Sequence, residues 1–184
     1  MQTIGIAKSE EEMQAHLSSL PKGGQEAIGS KWSAGDIMYR DLNGDGKISK
    51  GASTLDDHGD LKVIGNSTPR YFFGIDLNAD WKGFDVRLFF QGVMKRDYWG
   101  KDNFCGYLFG ARGDKDMWHA RGLVEHQDYF RAQAIGIDGH ELPANLDAYY
   151  PRPVFKEGAK NQETQSRYLQ DASYIRLKNF QLGY

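Results

Sequence analysis

The chain has 184 residues, with 23 basic and 25 acidic side chains and a formal net charge of −2. This balance gives no chain-wide basic footprint for nucleic acid, and an aromatic content of 13% is not typical of disorder. The apolar runs are only a few residues long, which excludes a transmembrane helix but not membrane β-strands, whose apolar residues occur at every second position.

The first predicted element is a short helix over residues 8–20. Ser9 is placed to cap it, and Glu12 follows at the capping-box spacing. Met13, Leu17 and Leu20 then fall on one face of the helix. The proline and glycines that follow end the helix, and residues 21–36 are expected to form a loop.

A carboxylate-rich loop follows, with the sequence DLNGDGKIS at 41–49. It matches the first half of a calcium-binding loop, in which side-chain oxygens at alternate positions converge while a glycine allows a sharp turn. The predicted cofactor is therefore calcium. The expected ligands are Asp41, Asn43 and Asp45 through their side chains and Lys47 through its carbonyl, with Ile48 fixing the loop at its base.

The loop lacks the closing glutamate of an EF-hand, because Ala52 stands at that position and no helix enters the loop. One of three following carboxylates is a candidate to complete the site: Asp56, Asp57 or Asp60. The competing interpretation is a turn held by Asx hydrogen bonds without any metal.

Residues 71–81 alternate between apolar side chains at the odd positions and largely polar residues at the even positions, and a second alternating run begins at Phe84. Lys82-Gly83 between them fits a two-residue turn, so the sequence predicts a hairpin of two long strands. Each strand has about the 9–11 residues needed to cross a bilayer. Trp81 and Phe84 would lie where an interfacial aromatic girdle is expected. Alternation alone also fits a one-sided sheet in a soluble protein.

A long polar stretch follows from residue 95, with a helix predicted over residues 114–130 and a third strand over residues 173–184. The apolar phase of that strand switches near Lys178–Asn179, which predicts a β-bulge there or a change of environment along the strand. Because the sequence ends inside this strand, we expect the chain to be a slice of a longer protein.

No motif for catalysis or phosphate binding occurs, and the single cysteine, Cys105, excludes a cysteine-based zinc site. The chain is therefore predicted not to be an enzyme, with no catalytic residues assigned. Trp118, Tyr149 and Tyr150 are aromatic residues able to stack on sugar rings, although packing in a core is the more common role for such residues.

Three segments carry a family resemblance: GDIMYRDLNGDGKI (35–48), the run from DLKVIGN to FFQG (60–92) and SRYLQDASYIRLKNFQLGY (166–184). Together they resemble the C-terminal barrel region of SusC/RagA-type TonB-dependent outer-membrane transporters. Family members often have a shorter aspartate loop with an Asp just before VIGN. That residue is Asp60 here, which makes it the preferred closing ligand.

The resemblance implies a mainly β fold with small helical parts, as a fragment of a large antiparallel transmembrane β-barrel with long extracellular loops. It implies an extracellular loop region at 1–69 containing the calcium-like loop. A barrel hairpin would follow at 70–94, then a long extracellular loop with a short helix at 95–172 and a truncated barrel strand at 173–184.

The same resemblance implies a glycan or peptide importer in the outer membrane of a Gram-negative bacterium, with outer-membrane lipid around the strands. A SusD-like surface lipoprotein and TonB would be partners of the full-length protein. Three strands cannot close a barrel, so we expect the chain alone to oligomerise, to need detergent or to fold chiefly through its loops. The second hypothesis is a soluble, secreted, calcium-stabilised carbohydrate-binding β-module. The third hypothesis is a hydrolase.

Overall fold

The computed structural model describes residues 1–100, 124–137, 139–154 and 158–184. The chain divides into two compact units. The mixed unit comprises Met1–Ile64 and Gly100–Tyr168, and the sheet unit comprises Gly65–Trp99 and Leu169–Tyr184. Each unit is described by itself below.

The described elements are one α-helix, α1 (Glu10–Ser18), three short 3₁₀ turns and nine strands. In chain order the strands are β1 (Thr3–Ile6), β2 (Ile37–Tyr39), β3 (Tyr71–Trp81), β4 (Phe84–Met94), β5 (Asp97–Trp99), β6 (Ile135–Ile137), β7 (His140–Leu142), β8 (Leu169–Asp171) and β9 (Tyr174–Gly183). Their pairings are all antiparallel, and none of the sheets closes on itself in the described part of the chain. The predicted mainly β class with a small helical part is confirmed.

Helix α1 forms where the sequence predicts it. The Ser9 hydroxyl accepts a hydrogen bond from the Glu12 amide at 3.2 Å, and the Glu12 carboxylate accepts one from the Lys8 amide at 2.6 Å. The first bond satisfies one of the amides that a helix start leaves without an intrahelical partner, and the second ties the residue before the cap to the first turn. Met13 is completely buried on the inner face, so packing as well as capping holds the helix in place.

The mixed unit has a small core of its own around the paired strands β1 and β2. Ile37 and Tyr39 of β2 are fully buried, and so is Ile48 at the base of the aspartate loop. The Ile48 amide donates to the Gly24 carbonyl at 2.7 Å, which attaches the loop to the segment after α1. Strands β1 and β2 were not predicted from the sequence, because runs this short carry no clear alternation.

The prediction of a helix over residues 114–130 is wrong for its last part. Residues 114–123 lie outside the described residues. Val124–Gln127 form a 3₁₀ turn, after which the chain is not helical: Tyr129 forms a bridge with Tyr150, and the Phe130 amide donates to the Tyr150 carbonyl at 3.0 Å. Hydrogen bonding to a distant segment here replaces the helical bonds that the local pattern favoured.

The sheet unit contains a three-stranded sheet in the order β3-β4-β9 and a two-stranded sheet of β5 and β8. The predicted hairpin is confirmed, with Trp81 paired to Phe84 across the Lys82-Gly83 turn. Both turn residues have positive φ, at 48° and 90°, as the tight turn of a right-twisted hairpin requires. Gly92 leaves space for the ring of Phe73, which a Cβ at that position would overlap.

The predicted bulge in the third strand is also confirmed. Phe89 pairs with Asn179 and Phe90 pairs with Leu177, so Lys178 is the extra residue on β9. The bulge shifts the side-chain alternation by one residue. As a result, the apolar residues before and after it lie on one face of the sheet: Ile175, Leu177, Phe180 and Leu182.

Within the described residues, no helix is both long and apolar enough to cross a membrane.

Candidate functional site

The aspartate loop brings three carboxylates together. One oxygen from each of Asp41, Asp45 and Asp60 lies within 4.8 Å of the others. Asp41 and Asp45 are half-buried, and Asp60 is completely buried. Hard cations such as calcium prefer several oxygen ligands at 2.3–2.6 Å, and oxygens this close to one another lie within reach of one such ion.

Hydrogen bonds inside the loop set this geometry. Asp41 accepts from the amides of Gly44 at 2.6 Å and Gly46 at 2.9 Å. The side chains of Asn43 and Asp45 each accept from the amide two residues further on, at 3.0 and 3.1 Å. Gly46 has φ of +80°, a conformation that glycine adopts without strain. These Asx bonds orient the carboxylates and are compatible with both the metal and the metal-free interpretations.

Asp60 closes the loop from a distant point in the sequence. Its two oxygens accept from the Leu42 amide at 2.7 Å and the Ser49 amide at 2.8 Å, so one side chain joins the beginning and the end of the loop. No lysine or arginine side chain forms an ion pair with Asp60 in the part of the chain that the structure describes. A buried carboxylate is costly unless a cation or hydrogen bonds compensate it.

The other two closing candidates take no part in this cluster. Asp56 is exposed, and Asp57 accepts from the Ala52 amide at 2.9 Å within a separate turn. Of the three alternatives that the sequence left open, the fold brings Asp60 to Asp41 and Asp45. Ligation of a metal by these residues, by Asn43 or by the Lys47 carbonyl stays a prediction.

A second charged cluster in the mixed unit was not predicted from the sequence. The buried Asp36 carboxylate receives hydrogen bonds from Lys160 at 2.8 Å, from Asn161 at 2.9 Å and from Arg152 at 2.9 and 3.0 Å. Burial is the largest influence on the Asp36 pKa and raises it, but these donors together outweigh it and hold the pKa below its ordinary value. Asp36 is thus an ionised group that ties β2 to residues far along the chain.

Lys160 is the buried cation of this cluster, with a side chain that is 0% exposed. Its ammonium group also donates to the carbonyls of Ser30 and Lys31, at 3.0 and 2.9 Å, and lies 4.9 Å from the centroid of the Trp32 ring. All of its donors therefore have acceptors, and the cluster stabilises the fold of the mixed unit. No sequence signal marks it, since Asp36 lies more than 100 residues before Arg152, Lys160 and Asn161.

The apolar face of the sheet unit is the second candidate site. Register places the odd residues of β3, the even residues of β4 and four residues of β9 on this face. Ten of its side chains are 42–69% exposed: Tyr71, Ile75, Leu77, Trp81, Phe84, Met94, Ile175, Leu177, Phe180 and Leu182. Soluble monomers rarely expose a contiguous apolar patch of this extent.

The opposite face of the same sheet carries the charges. Arg87 forms a bidentate pair with Asp76, with distances of 2.5 and 3.1 Å, and Asn78, Gln91 and Gln181 lie on this side as well. The sheet is therefore amphipathic across its thickness, as the alternation in the sequence predicted.

The loop aromatics named from the sequence belong largely to a packed cluster. Tyr150 is only 4% exposed, and its ring stacks on that of Tyr168 with centroids 5.8 Å apart. Tyr149 is half-buried and meets the Tyr150 ring edge-on at 4.8 Å. Arg167 donates to the Tyr149 carbonyl at 3.0 Å, and its guanidinium group lies against the rings of Tyr149 and Tyr168. Trp118 lies outside the described residues.

Comparison with known proteins finds relatives of one kind. The chain is 28% identical over 169 residues to TonB-dependent receptor P3 of Formosa agariphila, a match that covers 90% of this chain and 13% of that protein. It is 27% identical over 150 residues to TonB-dependent receptor P39 of the same organism, covering 82% of this chain and 12% of the relative. TonB-dependent receptor P26, also from that organism, is 26% identical over 190 residues, covering 98% of this chain and 14% of the relative.

No protein-family model matches the chain, and no solved structure matches it either. The chain spans 12–14% of the length of the curated relatives that it matches. These similarities support a relationship between this chain and one segment of a TonB-dependent receptor.

Proposed function

We propose that the chain is a segment of a TonB-dependent importer in the outer membrane of a Gram-negative bacterium, supplying barrel strands and surface loops. The observation that carries the proposal is the bare apolar face of the sheet unit. The similarity to three receptors supports it independently. In a membrane, exposed apolar side chains on one face of a strand are covered by lipid, and the polar face borders the lumen.

The length of the strands supports the same proposal. β3 has 11 residues, so its ends are about 34 Å apart at ~3.4 Å per residue. At a strand tilt of roughly 35–45° this corresponds to roughly 24–28 Å along the membrane normal, and the apolar band of outer-membrane barrels is about 25 Å tall. β4 has the same length as β3.

A narrower form of the proposal is an importer of the SusC/RagA type. The motif order VIGNSTPRY, the FFQG strand end and RYLQDASYIRLKN supports it. On this basis we propose glycans or peptides as the substrate class and a SusD-like surface lipoprotein as a partner. TonB would be engaged by the full-length protein. No catalytic role is proposed for this chain.

We further propose that calcium binds the aspartate loop through Asp41, Asp45 and Asp60, with Asn43 and the Lys47 carbonyl completing the site. The support is the close approach of three carboxylates and the absence of a cationic side chain at buried Asp60 among the described residues. An affinity of about 10⁻⁴–10⁻³ M is expected for an extracellular site of this kind. Bound calcium would hold the loop rigid.

The membrane proposal is tested by placing a probe on either face of β3. In a Cys105→Ser background, Leu77→Cys and Asn78→Cys are labelled with an environment-sensitive fluorophore, and the chain is mixed with lipid vesicles. The label at residue 77 is expected to shift to the blue and to be quenched by lipid-bound quenchers. The label at residue 78, one position along the same strand, is the matched control and should respond much less.

Equal responses at the two positions would contradict a one-sided membrane contact. A monodisperse monomer in detergent-free buffer, with neither label responding to vesicles, would favour the soluble carbohydrate-binding module instead. That module would cover its apolar face with its own residues.

The calcium proposal is tested by the melting temperature with and without millimolar calcium. A ligand that binds only the folded state raises the melting temperature, so the wild-type chain is expected to respond. Asp41→Asn/Asp45→Asn should abolish the response, because asparagine keeps hydrogen-bond acceptors but removes the charges. Asp57→Asn, in the same loop region, is the control that should respond like wild type. A response that survives in the double variant would refute the site.

A further inference from the structure

Each end of the apolar face of the β3-β4-β9 sheet carries an aromatic ring with a lysine folded onto it. At one end the Lys82 ammonium lies 5.0 Å from the centroid of the Trp81 ring. At the other end the Lys95 ammonium lies 5.8 Å from the centroid of the Tyr71 ring. We call Lys82 and Lys95 the rim lysines.

Register shows that both rings belong to the apolar face. Trp81 pairs with Phe84, and Tyr71 pairs with Met94, and paired residues of an antiparallel sheet project to the same side. The two ammonium groups therefore lie at opposite ends of one apolar surface. The 11 residues of β3 separate them, and a tilted strand of that length spans about the apolar band of an outer-membrane barrel.

The backbone at the two lysines is unusual in the same way. Lys82 and Lys95 each follow a long strand directly and have φ of 48° and 52°, in the left-handed region that non-glycine residues seldom occupy. This conformation turns the chain at the end of each strand. The lysine side chain then lies over the aromatic ring at that end of the apolar face.

The rim lysines also lack an anionic partner among the described residues. Neither ammonium group forms an ion pair with a carboxylate within the residues that the structure describes. Exposed lysines elsewhere in the chain, such as Lys8 and Lys50, do form such pairs. Two cations at the ends of an apolar band, neither paired with a described carboxylate, fit an occupant that is apolar in its middle and negatively charged at both surfaces.

Resting on the proposed membrane function, we infer that the rim lysines bind the phosphate groups of anionic membrane lipids, one lysine at each surface of the bilayer. The apolar face contacts the acyl chains, and the aromatic rings lie at the level of the headgroups. Each lysine is expected to strengthen binding to an anionic surface roughly fivefold at moderate salt.

The test measures binding of the whole chain to vesicles of phosphatidylcholine alone and to vesicles that also contain phosphatidylglycerol. The wild-type chain is expected to bind the mixed vesicles more tightly, with a gain that falls as salt is raised. In Lys82→Gln/Lys95→Gln, the increase in affinity that phosphatidylglycerol gives should be smaller by a factor on the order of 25, and binding to phosphatidylcholine should be unchanged. Glutamine is chosen because it removes the charge and keeps a long side chain.

The matched control is Lys22→Gln/Lys62→Gln, which removes the same charge from exposed positions of the mixed unit. It should keep the gain from phosphatidylglycerol. The inference would be overturned if the wild-type chain bound phosphatidylcholine vesicles and phosphatidylglycerol did not tighten that binding. It would also be overturned if both double variants lost the tighter binding equally. Either result would leave the membrane proposal standing. A wild-type chain that binds neither kind of vesicle would overturn both.

Discussion

The two units of this chain use their apolar residues in opposite ways. In the mixed unit, Met13, Ile37 and Ile48 are completely buried in a core around α1, β1 and β2. In the sheet unit, residues of the same kind stand on an open face, with Leu77 and Leu182 51% and 64% exposed. The amino-acid types are alike, so composition does not distinguish the units. Periodicity and register do.

Charged residues show the same contrast. The mixed unit buries Asp36 and Lys160 against each other. It also supplies further hydrogen-bond partners to the Lys160 ammonium group and to the Asp36 carboxylate. The sheet unit keeps its Asp76–Arg87 pair exposed, on the face opposite the apolar one. The mixed unit thus compensates its buried charges within its own interior, whereas an open amphipathic sheet needs a cover on its apolar face.

The largest expected effect comes from breaking the buried pair of the mixed unit. Asp36→Ala leaves Lys160 as a buried charge without its carboxylate and is expected to cost about 3–5 kcal/mol of unfolding free energy. Amide hydrogen exchange of β2 measures the loss locally, so that the sheet unit does not contribute to the signal.

The control for this change is Asp147→Ala, which removes the same side chain from the exposed pair that Asp147 forms with Lys8. Solvent screens that pair, and no measurable change in β2 exchange is expected. If the two variants behave alike, the Asp36 cluster does not stabilise the mixed unit as described.

A pair of truncations tests the contrast between buried and bare apolar residues. Met13→Ala removes a fully buried side chain and is expected to lower the stability of the mixed unit by about 2–5 kcal/mol. Leu77→Ala on the open face should change stability in water very little, because the leucine side chain is already half exposed. Urea unfolding of the purified chain measures the first effect.

The same truncation should matter once lipid is present. Leu77→Ala is expected to weaken binding to phosphatidylcholine vesicles, since it removes apolar area that the bilayer would cover. A large loss of stability in water for Leu77→Ala, with no effect on vesicle binding, would mean that residues of the chain itself cover this face.

Local patterns made the β3-β4-β9 sheet and α1 predictable, whereas the short strands β5 and β8 were not predicted. Alternation located β3 and β4, the Lys82-Gly83 pair located the turn, and the phase switch located the bulge at Lys178. Each of these features depends on residues that are close in sequence. The error at residues 128–130 arose in the opposite case, where the helical pattern lost to a bridge between Tyr129 and Tyr150.

The candidate sites divide along the same line. Asp41 and Asp45 were found from their spacing alone. Asp60 was one of three alternatives, which the family resemblance preferred and which the fold brings to Asp41 and Asp45. Asp36 and Lys160 were not found at all. They meet across 124 residues of chain, and neither has a neighbouring residue that marks it as buried.

Acid provides a graded way to weaken the mixed unit. The folded-state pKa of Asp36 is depressed, because its hydrogen-bond donors outweigh the effect of burial. Its contribution to stability is therefore fully present above the unfolded-state pKa of about 3.9 and is lost as the pH falls through the folded-state value. Each unit of depression corresponds to about 1.4 kcal/mol.

This pH dependence is measured as the difference in unfolding free energy between the wild-type chain and Asp36→Asn. The difference should be constant from neutral pH down to about pH 5 and should shrink below about pH 4, where protonated Asp36 comes to resemble asparagine. A difference that stays constant down to pH 2.5 would contradict an ionised Asp36 as the source of the stabilisation.

The smallest effect concerns the start of α1. Ser9→Ala removes the oxygen that accepts from the Glu12 amide and is expected to cost about 1 kcal/mol of stability in the mixed unit. Ser9→Asp keeps an acceptor and adds a negative charge at the helix N-terminus, so it should be neutral or slightly stabilising. Because the cap lies within the mixed unit, neither variant should alter the vesicle response of a label at residue 77. If Ser9→Ala changed that response, the two units would not fold independently of each other.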